Sequence, residues 1–494
     1  MNGTLLQSFH WYSEGNGQFW KSLKDKAEDL QLKGITAVWL PPPYKGADGA
    51  VAIGYDVYDI FDLGEFDQKG TIPTKYGSKD DFLQAIDALH QQGIAIYIDA
   101  VLNHKMGGDE LEDVKLVRMD ENNREQKIGE AFMGKAYTKF LFPGRDKKYS
   151  DFVWDFQCFS GIDFAVDQDG NEITGLFSIL NQYGDSWEEN VSEEHANYDY
   201  LMGDDIDFRN PAVRQHLKDW IKWMQELTKF DGVRLDAVKH INADFFIEWI
   251  DFIKSDIKSD SFFVGEYWTY DHPELVAYID STGARMHLFD APLQNNFHTA
   301  SREKSAYNLT EIFNNTLVQS NPENAVTLVA NHDTQPLQSL ENPVEPWFKP
   351  LAYALILMRA DGYPCVFAPD IYGAHYKDKG NDGSDAEVFL PVIDNLNALM
   401  TARQSFAYGE QIDFFDHPNC IAWRRTGDAD HEGAIIILSN GENGFKEIEL
   451  GSEFSNTVFY DFLGNVEEEV TLDENGKGTF LVNSASVSVW VRKN

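Results

Sequence analysis

Short apolar, β-branched runs recur along the first four hundred residues. They are Thr4–Phe9, Ile35–Leu40, Ile94–Leu102, Gly232–Asp236, Phe262–Glu266, Met286–Asp290, Val326–Asn331 and Tyr363–Pro369. Between many of them lie stretches with the 3.6-residue period of an amphipathic helix, among them Asp80–His90, Ala212–Thr228 and Ala243–Ser255. In the first of these, Phe82, Leu83, Ile86 and Leu89 form one stripe. Eight strands alternating with helices predict a parallel (β/α)8 TIM barrel in the α/β class. The rhythm breaks between Asn103 and Asp205, where short charged and aromatic pieces are punctuated by Gly and Asp. About a hundred residues is too long for a loop and predicts a subdomain inserted after the third strand. The last ninety or so residues change character again. There, short runs such as Cys420–Arg425, Ala434–Ser439 and Ser486–Val491 are separated by Gly, Asn and Asp, as in an antiparallel β-sandwich. The predicted division is therefore 1–102 with 206–404 for the barrel, 103–205 for the insertion and 405–494 for the C-terminal sandwich.

The polar residues that end these runs carry the chemistry. Ile96 to Leu102 ends in Asn103-His104, and Gly232-Val233-Arg234-Leu235-Asp236 leads into Lys239-His240. Phe263-Val264-Gly265 ends in Glu266, and Leu328-Val329-Ala330 ends in Asn331-His332-Asp333. A parallel barrel presents these C-terminal strand ends on one open face, where the active site sits. Strand alternation turns Arg234 and Asp236 to the same side. One carboxylate after one strand is ordinarily a helix cap or a turn residue. Three of them, each ending a separate apolar strand beside His, Arg, Asn or Trp, are costly at an apolar rim unless paired or used.

The chain contains no GxxxxGK[ST], no GxSxG and no HExxH, which removes the phosphate cradle, the serine-esterase elbow and the zinc-protease helix. Acid–base work, metal binding or both remain. Cleavage of a glycosidic bond with retention needs an ionised carboxylate and a protonated one about 5–5.5 Å apart. Arg234 beside Asp236 suits the ionised partner, and Glu266 amid Phe263, Val264, Tyr267 and Trp268 suits the neutral one.

Composition trims the alternatives. Of the 494 residues, 81 are acidic and 41 basic, giving a net charge of −40, which excludes a nucleic-acid backbone or an anionic membrane surface as partner. Aromatic residues at 14% argue against a disordered chain. The longest apolar stretches fall well short of the roughly 18 residues a membrane span needs. Cys158, Cys365 and Cys420 are too widely spaced for a zinc cluster and odd in number for a disulfide framework. With no basic n-region or apolar h-region at the start, the expected location is the cytoplasm and the expected state a monomer.

Taken in order, Asp99-x-x-x-Asn103-His104, Gly232-x-Arg234-x-Asp236-x-x-Lys239-His240, Glu266 and Asn331-His332-Asp333 resemble the signature segments of the α-amylase family of glycoside hydrolases. The likeness extends to Gly54-Tyr55-Asp56 and Tyr198-Asp199-Tyr200-Leu201-Met202, and its nearest form is that of the bacterial liquefying-type cytoplasmic enzymes. The resemblance implies that Asp236 is the nucleophile, Glu266 the general acid and then base, and Asp333 the stabiliser of the oxocarbenium-like transition state. Arg234 would keep Asp236 ionised. Asp99, His104 and His332 would line the subsite of the attacked glucose, with Tyr55 as its stacking platform and Trp11 and Trp268 as further sugar-facing aromatics. Lys239 and His240 would meet the leaving-group side.

The same resemblance implies calcium held by Asn103, Asp199, Asp205 and the backbone carbonyl of His240, all hard oxygen donors. It also implies a neighbouring second metal centre at Asp163, Glu188 and Asp207, with Glu188 in place of the usual Asp. The implied substrate is an α-glucan cut by endo-hydrolysis of α-1,4 bonds with retention. The alternatives are another α-glucan-active hydrolase or transglycosylase on the same fold, a non-catalytic carbohydrate-binding protein, and a metal-dependent hydrolase using the His and Asp clusters.

Overall fold

The computed structural model describes residues 2–380 and 382–493. Eight parallel strands close into a barrel in chain order, each hydrogen-bonded to the next and the last to the first. They are β1 (Leu5–Gln7), β2 (Ala37–Trp39), β3 (Ala95–Ala100), β4 (Gly232–Leu235), β5 (Phe262–Gly265), β6 (His287–Phe289), β7 (Ala325–Leu328) and β8 (Tyr363–Phe367). Seven fall within a predicted run, and β7 begins one residue before its run. The barrel is filled by their inward side chains, including Leu5, Trp39, Val264, Phe289, Val326 and Cys365.

Helices cover the outside. The helix Lys79–Gln91 starts on Ser78, whose hydroxyl accepts from the Asp81 amide, and buries Phe82, Ala85, Ile86 and Leu89. The helix Pro211–Thr228 is likewise capped by Asn210 and has proline in its first turn. Ala243–Phe252 stops short of its predicted end and passes into one π turn, Ile253–Ile257. Among the described residues no helix is long and apolar enough to cross a membrane.

The insertion leaves the barrel after β3 and is an antiparallel sheet of six strands. Two strands, Glu110–Met119 and Lys127–Lys139, are far longer than the short pieces read from sequence. Their period of two is hard to see because the buried positions of the second are Gly134, Ala136 and Thr138, small or polar rather than β-branched. The sheet is stitched to the barrel mouth by Asp204–Ile206, which pairs with His104–Lys105 in the register Asp205 to His104.

A hairpin after β8, Ala374–Lys379 with Asp385–Leu390, lies outside every predicted run. Beyond it, a six-stranded antiparallel sheet and the pair Gly444–Glu449 with Lys477–Val482 enclose Ile435, Ile437, Phe480 and Trp490. This unit is docked by Arg359, which forks Asp413 at 2.9 and 3.0 Å, and by the Trp423 indole donating to the Met358 carbonyl at 3.2 Å. All three cysteines are buried and unbonded.

Candidate active site

Arg234 lies at the centre of the barrel's C-terminal face, 1% exposed. Its register on β4 puts it opposite Asp99 on β3 and Val264 on β5. Nη1 donates to Asp99 Oδ1 at 2.9 Å and to Asp236 Oδ1 at 2.6 Å, while Nη2 donates to Glu266 Oε2 at 2.5 Å. The guanidinium also lies 4.9 Å from the Trp39 ring, so no water competes on that side. Asp99 is held from behind by the Trp39 indole and the Tyr55 hydroxyl, both at 2.9 Å.

Two backbone features set this arrangement. Ala237, directly after Asp236, takes the left-handed conformation at φ 49°, which ends the strand abruptly and turns the chain into Val238–His240. Its amide then points at Glu266 Oε2, 3.3 Å away. Gly265 lets β5 sit close to its neighbours, since a Cβ there would lie 2.6 Å from the Met286 sulfur.

Four buried carboxylates surround one cation, and they cannot all be charged near neutrality. Burial, then Asp333 and Asp236 nearby, push Glu266 well above the usual carboxylate range despite the opposing pull of Arg234. Burial raises Asp333 to about 7 and Asp99 to about 6, again against Arg234. Asp236 accepts from the guanidinium at its shortest aspartate contact, 2.6 Å. Arg234 thus holds Asp236 on one amino group and Glu266, pushed toward its neutral form, on the other.

His332 is kept neutral by burial and by Arg234, well below its ordinary value. The Gln7 amide donates to its Nδ1 at 2.9 Å, which leaves Nε2–H to face Asp333, 3.3 Å away. Asn331 shapes the turn by accepting from the Asp333 and Thr334 amides. Above these groups, Tyr55 stacks with both His332 (5.0 Å) and Trp11 (5.9 Å), its ring nearly parallel to each. His104 donates from Nε2 to the Tyr55 carbonyl at 2.7 Å. Across the opening, Lys239 bonds Glu194 at 2.9 Å and the Trp268 carbonyl at 3.2 Å. His240 donates from Nδ1 to the Tyr198 carbonyl at 2.7 Å, tying the insertion to the strand end.

A cavity of about 340 Å³ joins these groups, with Asp236, Glu266 and Asp333 at its base and Trp11, Tyr55 and Trp268 on its walls. All three carboxylates and seven of the nine other residues expected from the sequence line this cavity, while Asp99 and Arg234 lie buried beneath it. Sequence reasoning did not single out Gln7 and Trp39, which orient His332 and Asp99, or Ser339 and Leu340 in the wall. The first two are strand-end inward positions on β1 and β2, a signal that alternation carries. The last two come from a loop without periodicity.

A second cluster lies where the insertion meets the barrel. Glu188, Asp199, Asp205 and Asp207 are all at most 2% exposed. Burial first, then mutual repulsion, raises Glu188 and Asp205 well above the usual range, while Asp199 is raised to about 7 mainly by burial. Asn103 is equally buried, its Nδ2 donating to Asp205 at 3.2 Å and its Oδ1 without a partner, as is Glu188 Oε2. Orphaned oxygens beside uncompensated carboxylates fit a hard divalent cation such as calcium. Among the described residues no three carboxylate, imidazole or thiol groups already form a metal cage. The donors expected here mix one amide oxygen, a backbone carbonyl and aspartates. Asp163, expected in the adjoining centre, is instead exposed and contacts Tyr200. On the strand that carries it, Ser160 is the residue that reaches Asp205, at 2.5 Å.

Residues 12–411 match the family model described as alpha amylase, catalytic domain, and residues 434–491 that for the alpha-amylase C-terminal domain. The chain is 52% identical over 491 residues to the cytoplasmic alpha-amylase of Escherichia coli K12, covering 99% of each chain. It is 42% identical to an alpha-amylase of Geobacillus stearothermophilus, covering 99% of this chain and 87% of that one. Against the glucan 1,4-alpha-maltohexaosidase of Bacillus sp. 707 the figures are 41%, 100% and 93%. The crystal structure of a Geobacillus thermoleovorans alpha-amylase shares the fold, with TM-score 0.64 at 18% identity over 100% of this chain and 98% of that one.

Proposed function

The chain belongs to the α-amylase family of glycoside hydrolases, and from that premise we propose that Asp236, Glu266 and Asp333 cut α-1,4-glucans internally, with retention of the α anomer. The supporting observation is the grip of Arg234 on Asp236 and Glu266 at the floor of an aromatic cleft. Glu266 starts protonated and gives its proton to the glycosidic oxygen as the bond breaks. Asp236 attacks the anomeric carbon and forms the glycosyl-enzyme. Glu266, now ionised, takes a proton from water as the water oxygen attacks the anomeric carbon and displaces the Asp236 carboxylate, which releases the sugar on its original face. Asp333 and neutral His332 hold sugar hydroxyls, and Tyr55 supplies an apolar face against the ring. Lys239 and Trp268 meet glucose units beyond the cleavage point.

Asn103, Asp199, Asp205 and the His240 carbonyl are the residues that would hold calcium. When bound, calcium supplies an ionic cross-link between insertion and barrel rather than a reacting group. The E. coli relative's cytoplasmic designation supports the same location here, where glycogen or maltodextrins are the available α-glucans. The test is a time course on soluble starch with and without chelator. Viscosity should fall well ahead of reducing-sugar release, and chelation should reduce the thermal half-life. Release of glucose alone from chain ends would refute endo action.

A further inference from the structure

The resemblance implies a second metal centre beside the first, but the residues at that position do not fit one. Asp207 has its carboxylate oxygens already committed. Arg209 forks it through Nε to Oδ1 at 2.8 Å and Nη2 to Oδ2 at 2.7 Å, and the Asn181 amide adds a third bond at 2.7 Å. The Arg209 backbone amide takes Glu188 Oε1 at 2.7 Å, and Nη1 reaches the Ser186 carbonyl at 2.9 Å. A bidentate arginine is the strongest neutral-pH partner a carboxylate finds within a protein, and its charge cannot be titrated away. Asp163, the third expected carboxylate, is turned out to solvent, and Ser160 offers a hydroxyl in place of an anion.

We propose that the Arg209 guanidinium is the second cation of this cluster, so that the chain takes up one divalent ion where two would otherwise be required. Charge bears on the count. With Glu188, Asp199, Asp205 and Asp207 all ionised around bound metal, the guanidinium and one divalent ion leave a single net negative charge. A second divalent ion would turn the buried set positive while lying against the guanidinium. Of the oxygens left open, Asn103 Oδ1 sits beside Asp205, whereas Glu188 Oε2 belongs to a side chain that neighbours both Asp199 and Asp207. Arg209 thus fixes the insertion internally, independent of the ion supply.

This rests on calcium occupying the first site, and the experiment separates the two. The full chain is stripped with chelator, then titrated with calcium chloride by calorimetry, with bound metal counted by elemental analysis after dialysis. Wild type should bind one calcium per chain. Arg209→Asn should bind two, with a Tm that falls in low calcium and recovers as calcium is raised to millimolar levels. Arg209→Lys, which keeps the charge, should still bind one. Two calcium ions in wild type, or one in Arg209→Asn with a Tm indifferent to calcium, would overturn the role of Arg209. None in wild type with one in Arg209→Asn would overturn only the first-site reading, and none in either would overturn both.

Discussion

Replacing Glu266 with Gln removes a proton donor while leaving the shape of the site in place. The new side-chain oxygen can still accept from Arg234 Nη2 and the Ala237 amide, as Glu266 Oε2 does at 2.5 and 3.3 Å. The fold should therefore survive. Because Glu266 is held well above the usual carboxylate range, it is protonated at neutral pH and its proton is available to the leaving oxygen. General-acid catalysis contributes about 10²–10⁴-fold, or about 2.7–5.4 kcal/mol of barrier at about 1.36 kcal/mol per tenfold. That loss should appear in kcat/KM for maltooligosaccharides, whose sugar leaving group needs the proton. It should be far smaller for a maltosyl fluoride, whose leaving group departs with little help. The basic limb of the pH–rate profile, which reports ionisation of the acid, should vanish as well. Equal losses on both substrates, or a basic limb that persists, would refute the assignment of Glu266 as the acid.

Other consequences follow from the same geometry. The first product released from a maltooligosaccharide should be the α anomer by proton NMR, and Asp236→Asn should abolish its formation; an initial β anomer would remove the covalent route. Asp333 titrates at about 7 in the folded chain against about 3.9 when unfolded, so the folded state binds more protons across that window and stability falls as pH rises through it. Asp333→Asn should accordingly raise Tm more at pH 8 than at pH 5, and an equal gain at both would contradict the shift. Chelation should lower the Tm of the wild-type chain in scanning calorimetry, whereas Asp205→Asn should leave a Tm already lowered and no longer sensitive to chelator; an undiminished response would place the ion elsewhere.

The sequence by itself determined the barrel and the chemistry of its mouth. Eight apolar runs each lie inside one strand's burial requirement, and the polar residues that end them must project from one face because parallel strands all finish on the same side. The three carboxylates and the histidines that follow these strands were legible for that reason, whereas Tyr55 and Trp11 lie in loops and were reached only through the resemblance. Local pattern could not give the long strand Lys127–Lys139 of the insertion, whose inward positions are Gly134, Ala136 and Thr138 and acquire an inside only against the strands that cover them. It could not distinguish Asp163 from Ser160 as the neighbour of Asp205, since both lie on one strand and only the pairing of Asp205 with Gly161 decides which one reaches it. Nor could it show that Arg209 folds back on Asp207. A carboxylate's neighbours decide whether it is a nucleophile, an acid, a metal ligand or an arginine's partner, and tertiary packing supplies those neighbours from segments as distant as β3 and β7.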